Sequence, residues 1–293
     1  MKVKKVSRKR YVGKVHNIGV SNHPNYFANQ ILVHNCYQDS SAHGKDADYY
    51  ELHRLLESLA AMKVFELAIG GGEPTLYPSF PKLLEHCREL GIVPNFTTKN
   101  TQWLRNPSLA RRIMDACGTF GVSVEDATKV RELRTLLDYN GFEDAHPNIH
   151  VVLGVVSDWD LREILRATND CRFDTTLLSY KSTGRGKDFK PQDFRRWLEH
   201  VKEAMNHRHY QARIGIDTPL AAEFEEGLIN QNVPKQCYET KEGGFSCYID
   251  AVEMKIGVSS YSKEEMVSIA PPKHGEEDHR TQYQKIIDAF ASF

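Results

Sequence analysis

The sequence predicts an α/β chain: a parallel sheet or barrel of repeating strand–helix units, preceded by a small all-β element. Three observations predict it. From residue 47 onward, short β-branched runs alternate with segments of helical periodicity. Residues 15–33 instead gather apolar and aromatic residues around one turn. The charge also breaks at the same place: residues 1–35 hold seven Lys/Arg and no acid, leaving 31 basic against all 39 acidic residues beyond. At 293 residues, 40% hydrophobic and 26% charged, the chain has the composition of a globular protein. No apolar run reaches the roughly 18–20 residues of a membrane span, so membrane, collagenous and disordered classes are excluded.

Each element has its own warrant. Val15–Val20 and Asn25–Val33 flank the turn-like Ser21-Asn22-His23-Pro24, which argues for a packed β element over a solvated basic arm. Strands are expected at Val64–Ile69, Ile92–Thr98, Phe120–Val124, Ile149–Val156 and Thr175–Tyr180. Helices are expected at Ala47–Met62, Pro78–Leu90, Pro107–Ala116, Thr128–Tyr139, Trp159–Thr168 and Pro191–Asn206. In the first helix Tyr50, Leu52, Leu55, Leu56, Leu59 and Met62 supply the apolar stripe. Gly244–Val258 reads as a hairpin, Pro271-Pro272 as a loop and Glu276–Phe290 as a closing helix. Repeated βα units place functional loops at the strand C-termini.

The six cysteines are too scattered for a disulfide scaffold, and a reducing cytoplasm is expected. Cys87, Cys117 and Cys171 lie on or beside apolar helix faces and read as core. Cys237 and Cys247, ten residues apart with no C-x-x-C, read as structural rather than as an auxiliary cluster site. His207 and His209 read as solvated.

The segment VHNIGVSNHPNYFANQILVHNC, Val15 to Cys36, carries a chemical pattern at its end. An Asn side-chain amide can attack its own main-chain carbonyl, closing a succinimide and cleaving the bond that follows. An adjacent imidazole can act as general acid, and a following Cys can accept an acyl group. On consecutive residues His34, Asn35 and Cys36 these steps become intramolecular. The segment resembles the C-terminal end of an intein, with Asn17 where that family usually has Asp and Gln30 where Gly is common. The resemblance implies a domain at 1–35 that is incomplete alone. Its other half is expected on a separate polypeptide, a split intein; a gene model beginning inside a contiguous intein is the alternative. Split inteins carry oppositely charged halves, which the basic residues 1–35 match.

The second pattern is AIGGGEPTLYP, Ala68 to Pro78, directly after the expected strand. Gly71 and Gly72 allow backbone to approach a ligand, Glu73 adds an acceptor for an ammonium group, and Pro74 sets the turn. This loop resembles the "GGEP" motif of radical SAM enzymes, which implies a site for the methionine amino group of S-adenosylmethionine. Such enzymes carry Cys-x3-Cys-x2-Cys one helix earlier, where three thiolates hold a [4Fe–4S] cluster. Cys36 stands at the third position; taking it as the first would leave Ser40 and His43 as ligands, a poor triad.

Together the two resemblances imply a partial (β/α)6 TIM-like barrel of the radical SAM type lacking its first strand. The barrel would span 36–240 and a C-terminal extension 241–293. The partner would be an N-terminal polypeptide contributing that strand and two cluster cysteines, with a reductant for the cluster and neither membrane nor nucleic acid as partner. Cys36 would serve first as splicing nucleophile and then as iron ligand. By the same resemblance Thr98, Ser123 and Glu125, at strand ends with Thr97 and Asn100, would reach the cofactor; capping of the next helix is the competing role. Tyr180 and Arg185 face either the pocket or solvent. The other readings are a cluster-free barrel with a basic binding arm, and a phosphate-binding barrel enzyme using the glycine loop; neither accounts for the junction as well.

Overall fold

The computed structural model describes residues 26–28, 31–33, 45–182, 189–207, 209–235, 238–241, 247–259, 265–271 and 280–292, the first two stretches by backbone alone. The chain divides into two units, Met1–His34 and Asn35–Phe293. The expectations at Val15–Val20, His34, Asn35, Cys36, Arg185 and Cys237 lie outside the described residues. In the first unit β1 (Tyr26–Ala28) pairs antiparallel with β2 (Ile31–Val33), Tyr26 opposite Val33 and Ala28 opposite Ile31.

The second unit is built on a six-stranded parallel sheet in chain order: β3 (Glu66–Ile69), β4 (Val93–Thr98), β5 (Phe120–Ser123), β6 (Asn148–Val152), β7 (Asp174–Leu178) and β8 (Ile214–Ile216). Between them run α1 (Tyr49–Ala61, preceding β3), α2 (Phe80–Glu89), α3 (Pro107–Ala116), α4 (Ala127–Tyr139), α5 (Asp158–Asp170) and α6 (Trp197–Met205); α7 (Thr218–Glu223) and α8 (Glu225–Asn230) follow β8. Side-chain caps start the helices where the sequence supplies them. Asp48 accepts from the Tyr50 and Glu51 amides at 2.9 and 3.1 Å, and Asp126, Ser157 and Asn106 serve α4, α5 and α3.

Alternation along the strands decides which face is dry. Phe96, Phe120, Val122, Ile149, Val151 and Leu177 are buried in one core with Leu84, Ile113, Leu133, Leu137, Ile164, Leu165 and Trp197 from the helices. A second core joins Leu55, Leu56 and Leu59 of α1 and Leu83 and Cys87 of α2 to the C-terminal segment. There β9 (Tyr248–Asp250), β10 (Lys255–Gly257) and β11 (Val267–Ser268) form an antiparallel sheet, and α9 (Gln282–Ser292) inserts Ile286 and Ala289. The expected extension at 241–293 is therefore, in its described residues, part of the same packed body as α1 and α2.

Several boundaries move, for physical reasons. The expected strand at Ile149–Val156 ends at Val152 because Gly154 turns the chain with φ +84°. The helix expected from Pro191 begins at Trp197: Gln192 N–H donates to the Gly154 carbonyl at 2.8 Å and Asp193 captures the Arg195 amide at 3.1 Å, holding this stretch out of helix. Tyr50 is 78% exposed, off the stripe that buries Leu55, Leu56 and Leu59. The closing helix runs Gln282–Ser292 rather than Glu276–Phe290. Strands β8 and β11 and helices α7 and α8 were not expected; β8 is three residues around Gly215. Cys87 and Cys117 are core residues as expected, and burial pushes both thiols up to about 11.

A Cβ placed on Gly154 would stand 2.9 Å from Pro191 Cβ and 3.1 Å from Phe194 Cδ1, in a backbone conformation unfavourable to L side chains. Gly154→Ala is expected to lower unfolding free energy by about 1–3 kcal/mol, read from the urea midpoint. An unchanged midpoint would mean that the 191–194 segment does not pack there.

Candidate functional site

The C-terminal ends of β3, β4 and β5 carry a connected polar network. Its centre is Glu73, which follows the open turn Gly70–Gly72. Glu73 Oε1 accepts from the Thr75 amide at 3.2 Å, the Thr75 hydroxyl at 2.7 Å and the Thr98 hydroxyl at 2.6 Å. Its Oε2 accepts from the Lys99 and Asn100 amides at 2.9 and 3.2 Å. A carboxylate offers roughly four lone-pair positions, so five donors fill it. The carboxylate binds the loop after β3 to the end of β4 and caps the single 3-10 turn Pro74–Leu76.

Lys99 extends the network sideways. While its amide donates to Glu73, its Nζ reaches Glu125 Oε1 beyond β5 at 2.7 Å, and both side chains are only about a quarter exposed. Asn100 Nδ2 donates to the Thr75 hydroxyl at 2.9 Å, closing the circuit. Of the residues singled out in the sequence, Glu73 and Thr98 thus meet directly, Pro74 opens the turn that Glu73 caps, and Glu125 is joined to them through Lys99, a residue that no motif marks. Helix capping is not the role of Thr98 or Glu125, since Asn106 caps α3 and Asp126 caps α4. Gly71 and Gly72 lie exposed beside the network, and at Gly70 and Gly71 (φ +126°) nothing stands within 4 Å of where a Cβ would be. The space beside both glycines is open.

Ser123 lies elsewhere in the geometry, on the face of the sheet opposite the helices. Paired residues of parallel strands share a face, so Ser123, His150, Thr176 and Gly215 form one row across β5 to β8, and Thr97, Gly121, Asn148 and Asp174 the row below. The His150 ring lies over Gly121: a Cβ there would sit 2.6 Å from Cε1. Burial alone holds His150 well below the usual imidazole range, at about 4, so it is neutral at neutral pH. Asp174 is tied to Arg213 by bonds of 2.6–3.1 Å, which keep its carboxyl below the usual range against the opposing effect of burial. Further round the rim Tyr180 is half-buried, its ring 5.4 Å from that of Phe189.

Among the described residues no group of three His, Cys, Asp or Glu is placed to hold a metal ion, and no helix is long and apolar enough to cross a membrane. A cavity of about 300 Å³ on α1, lined by Tyr49, Tyr50, His53, Arg54 and Glu57, contains none of the residues above.

With this geometry the chain is similar in fold to SuiB of Streptococcus suis. Against SuiB bound to the precursor peptide SuiA the TM-score is 0.63, with 18% identity over 87% of this chain and 60% of that one. Against SuiB bound to S-adenosylmethionine the TM-score is 0.58, with 18% identity over 77% and 57%. The chain therefore spans less than two thirds of the length of SuiB. No protein-family model matches the chain, and no curated protein sequence does. Likeness at this identity shows a common fold.

His150 makes stability depend on pH with a defined sign. Its pKa falls from 6.5 unfolded to about 4 folded, so between those values the unfolded chain binds the extra proton and stability drops as pH falls. In His150→Gln the loss of urea midpoint between pH 7 and pH 5 should be smaller than in the unsubstituted chain. An identical loss would place the imidazole in solvent.

Proposed function

We propose that this chain is one half of a trans-splicing pair, and that the ligated product is a radical SAM enzyme holding a [4Fe–4S] cluster and S-adenosylmethionine. The observation that carries the second part is the empty space beside the Cα atoms of Gly70 and Gly71, set at a strand end in a fold shared with a protein crystallised with S-adenosylmethionine. The Gly70–Gly72 loop would hold the methionine amino group, since the Glu73 carboxylate is already filled; Glu73 would keep the loop in place. Glu125, held by Lys99, and Thr98 flank this loop, and Ser123 contributes from the sheet face. No described side chains fit the cluster, so it is assigned to Cys36 with two cysteines of the partner. Cluster and cofactor together would supply one-electron chemistry. The peptide bound by SuiB makes a peptide the proposed substrate class.

The splicing half rests on the adjacency of His34, Asn35 and Cys36 in the sequence. The Cys36 thiolate would attack the thioester at the end of the partner's extein, displacing the partner's own thiolate. The Asn35 side-chain nitrogen would then attack the Asn35 carbonyl carbon, breaking the Asn35–Cys36 bond while His34 protonates the departing amine. That freed amine would take the acyl group from sulfur, leaving a peptide bond and a restored Cys36 thiol.

Mixed with its N-terminal partner, the chain should lose residues 1–35 and gain the partner's extein at Cys36. Asn35→Ala should block release of residues 1–35 and Cys36→Ala should block ligation, both read by mass spectrometry. Normal release and ligation in Asn35→Ala would end the splicing proposal. For the enzyme, the ligated product should take up a cluster with its absorbance on anaerobic iron reconstitution, and the unspliced chain should not. In an intein-free joined protein, Cys36→Ser should abolish that absorbance; a full cluster in the unspliced chain would remove Cys36 from its assigned place.

A further inference from the structure

The middle of the six-stranded sheet's face away from the helices is polar in two successive rows, with the apolar pair Val152 and Leu178 in the row above. A parallel sheet dried on both faces is built from Val, Ile and Leu on both, and a filled barrel packs such residues in layers. Here the two central rows read Thr97, Gly121, Asn148, Asp174 and Ser123, His150, Thr176, Gly215. Most of these positions are half-buried, and Gly215 is exposed. Two features mark the middle of this face. Asn148 Oδ1 is shut off from solvent and has no hydrogen-bond partner, a state that buried acceptors rarely keep. Two residues along, on the same face, His150 is a neutral imidazole set against Gly121, with one nitrogen that donates and one that accepts.

We propose that Asn148 and His150 form a binding site for an uncharged amide of the substrate, with Asn148 Oδ1 accepting its N–H and the His150 ring donating to its carbonyl. The spacing suits that ligand. Residues two apart on one strand face stand roughly 6.6 Å apart, and an amide bonded at both ends spans roughly 8 Å between its partners. The charge suits it as well. The acid nearest in these rows, Asp174, is neutralised by Arg213, and the hydroxyls of Ser123 and Thr176 flank His150 without adding charge. Within these two rows Asp174 is the one charged residue, and its charge is already engaged by Arg213. Gly121 is part of the device, because any side chain there would lift the ring off the sheet and into the ligand's space.

This site deepens the peptide-substrate reading, and its test is separate because it needs neither iron nor S-adenosylmethionine. The full chain is labelled with [13C]histidine, and the His150 signal is identified by its loss in His150→Gln. N-acetylglycine N-methylamide is the probe, with acetate and ethylammonium as charged counterparts, all near neutral pH. The amide should move the His150 signal saturably, and the two ions should not. Asn148→Ala should weaken amide binding by about fivefold or more, the loss expected for one hydrogen bond. Asn148→Asp keeps the shape of the residue and should bring in ethylammonium binding that the unsubstituted chain lacks; it serves as the deciding variant if Asn148→Ala does not fold. The proposal is overturned if the amide gives no saturable shift, if acetate shifts the signal equally, or if Asn148→Asp leaves the ligand preference unchanged. In any of those outcomes splicing and cofactor binding still stand or fall by their own tests.

Discussion

The rest of the body depends on one constraint: the apolar side chains of its parallel sheet's central strands enter the core on one face, the one that packs on the helices. The apolar strand positions Phe96, Val122, Ile149, Val151 and Leu177 all enter the core shared with the helices. Each such side chain contributes about 1.5–3 kcal/mol when fully buried, so the register that points them toward the helices is strongly favoured. A slip of one residue would drive Asn148 and His150 into that core and expose the apolar set. The same alternation that stabilises the fold therefore fixes which residues face the other way. Polarity on that second face is the by-product from which a site can be made.

At the strand ends the alternation stops and hydrogen bonding takes over. Glu73 gathers five donors from two loops, and Lys99 links that carboxylate's neighbourhood to Glu125. Backbone amides supply three of the five, so the network constrains loop paths as well as side chains. Space stays open beside Gly70 and Gly71 at the rim, on a loop whose neighbours the network holds. A loop held in place in advance loses little ordering entropy when a ligand arrives.

Much of this could be read from the sequence, and the failures have causes. Strands with a clean apolar alternation, such as that around Phe96, and helices with a cap and stripe, such as Pro107–Ala116, were placed within a residue or two. Strand β8 escaped because three residues centred on Gly215 give no periodicity to detect. The false start at Pro191 arose because Pro is favoured in a first helical turn, whereas here it packs against Gly154. At the site, the glycine loop, Thr98 and Glu125 stood out by motif, whereas Lys99 looked like any surface lysine between strand and loop. His150 and Asn148 left a usable signal: polar residues in alternation with Ile149 and Val151, in a strand whose apolar residues already satisfied one face.

The basic N-terminal unit poses the remaining physical problem. Its described part is a pair of three-residue strands, and an isolated two-stranded hairpin is marginal in water at best. Residues 1–35 also carry seven positive charges and no acid, so bringing them together costs repulsion that no residue of the segment offsets. Apolar residues such as Ile18, Tyr26, Phe27, Ile31 and Leu32 are nevertheless spent on it, which makes sense only if something covers them. An acidic, β-rich complement answers both needs at once, supplying surface for the apolar residues and counter-charge for the lysines and arginines. That is the composition the trans-splicing proposal assigns to the partner polypeptide.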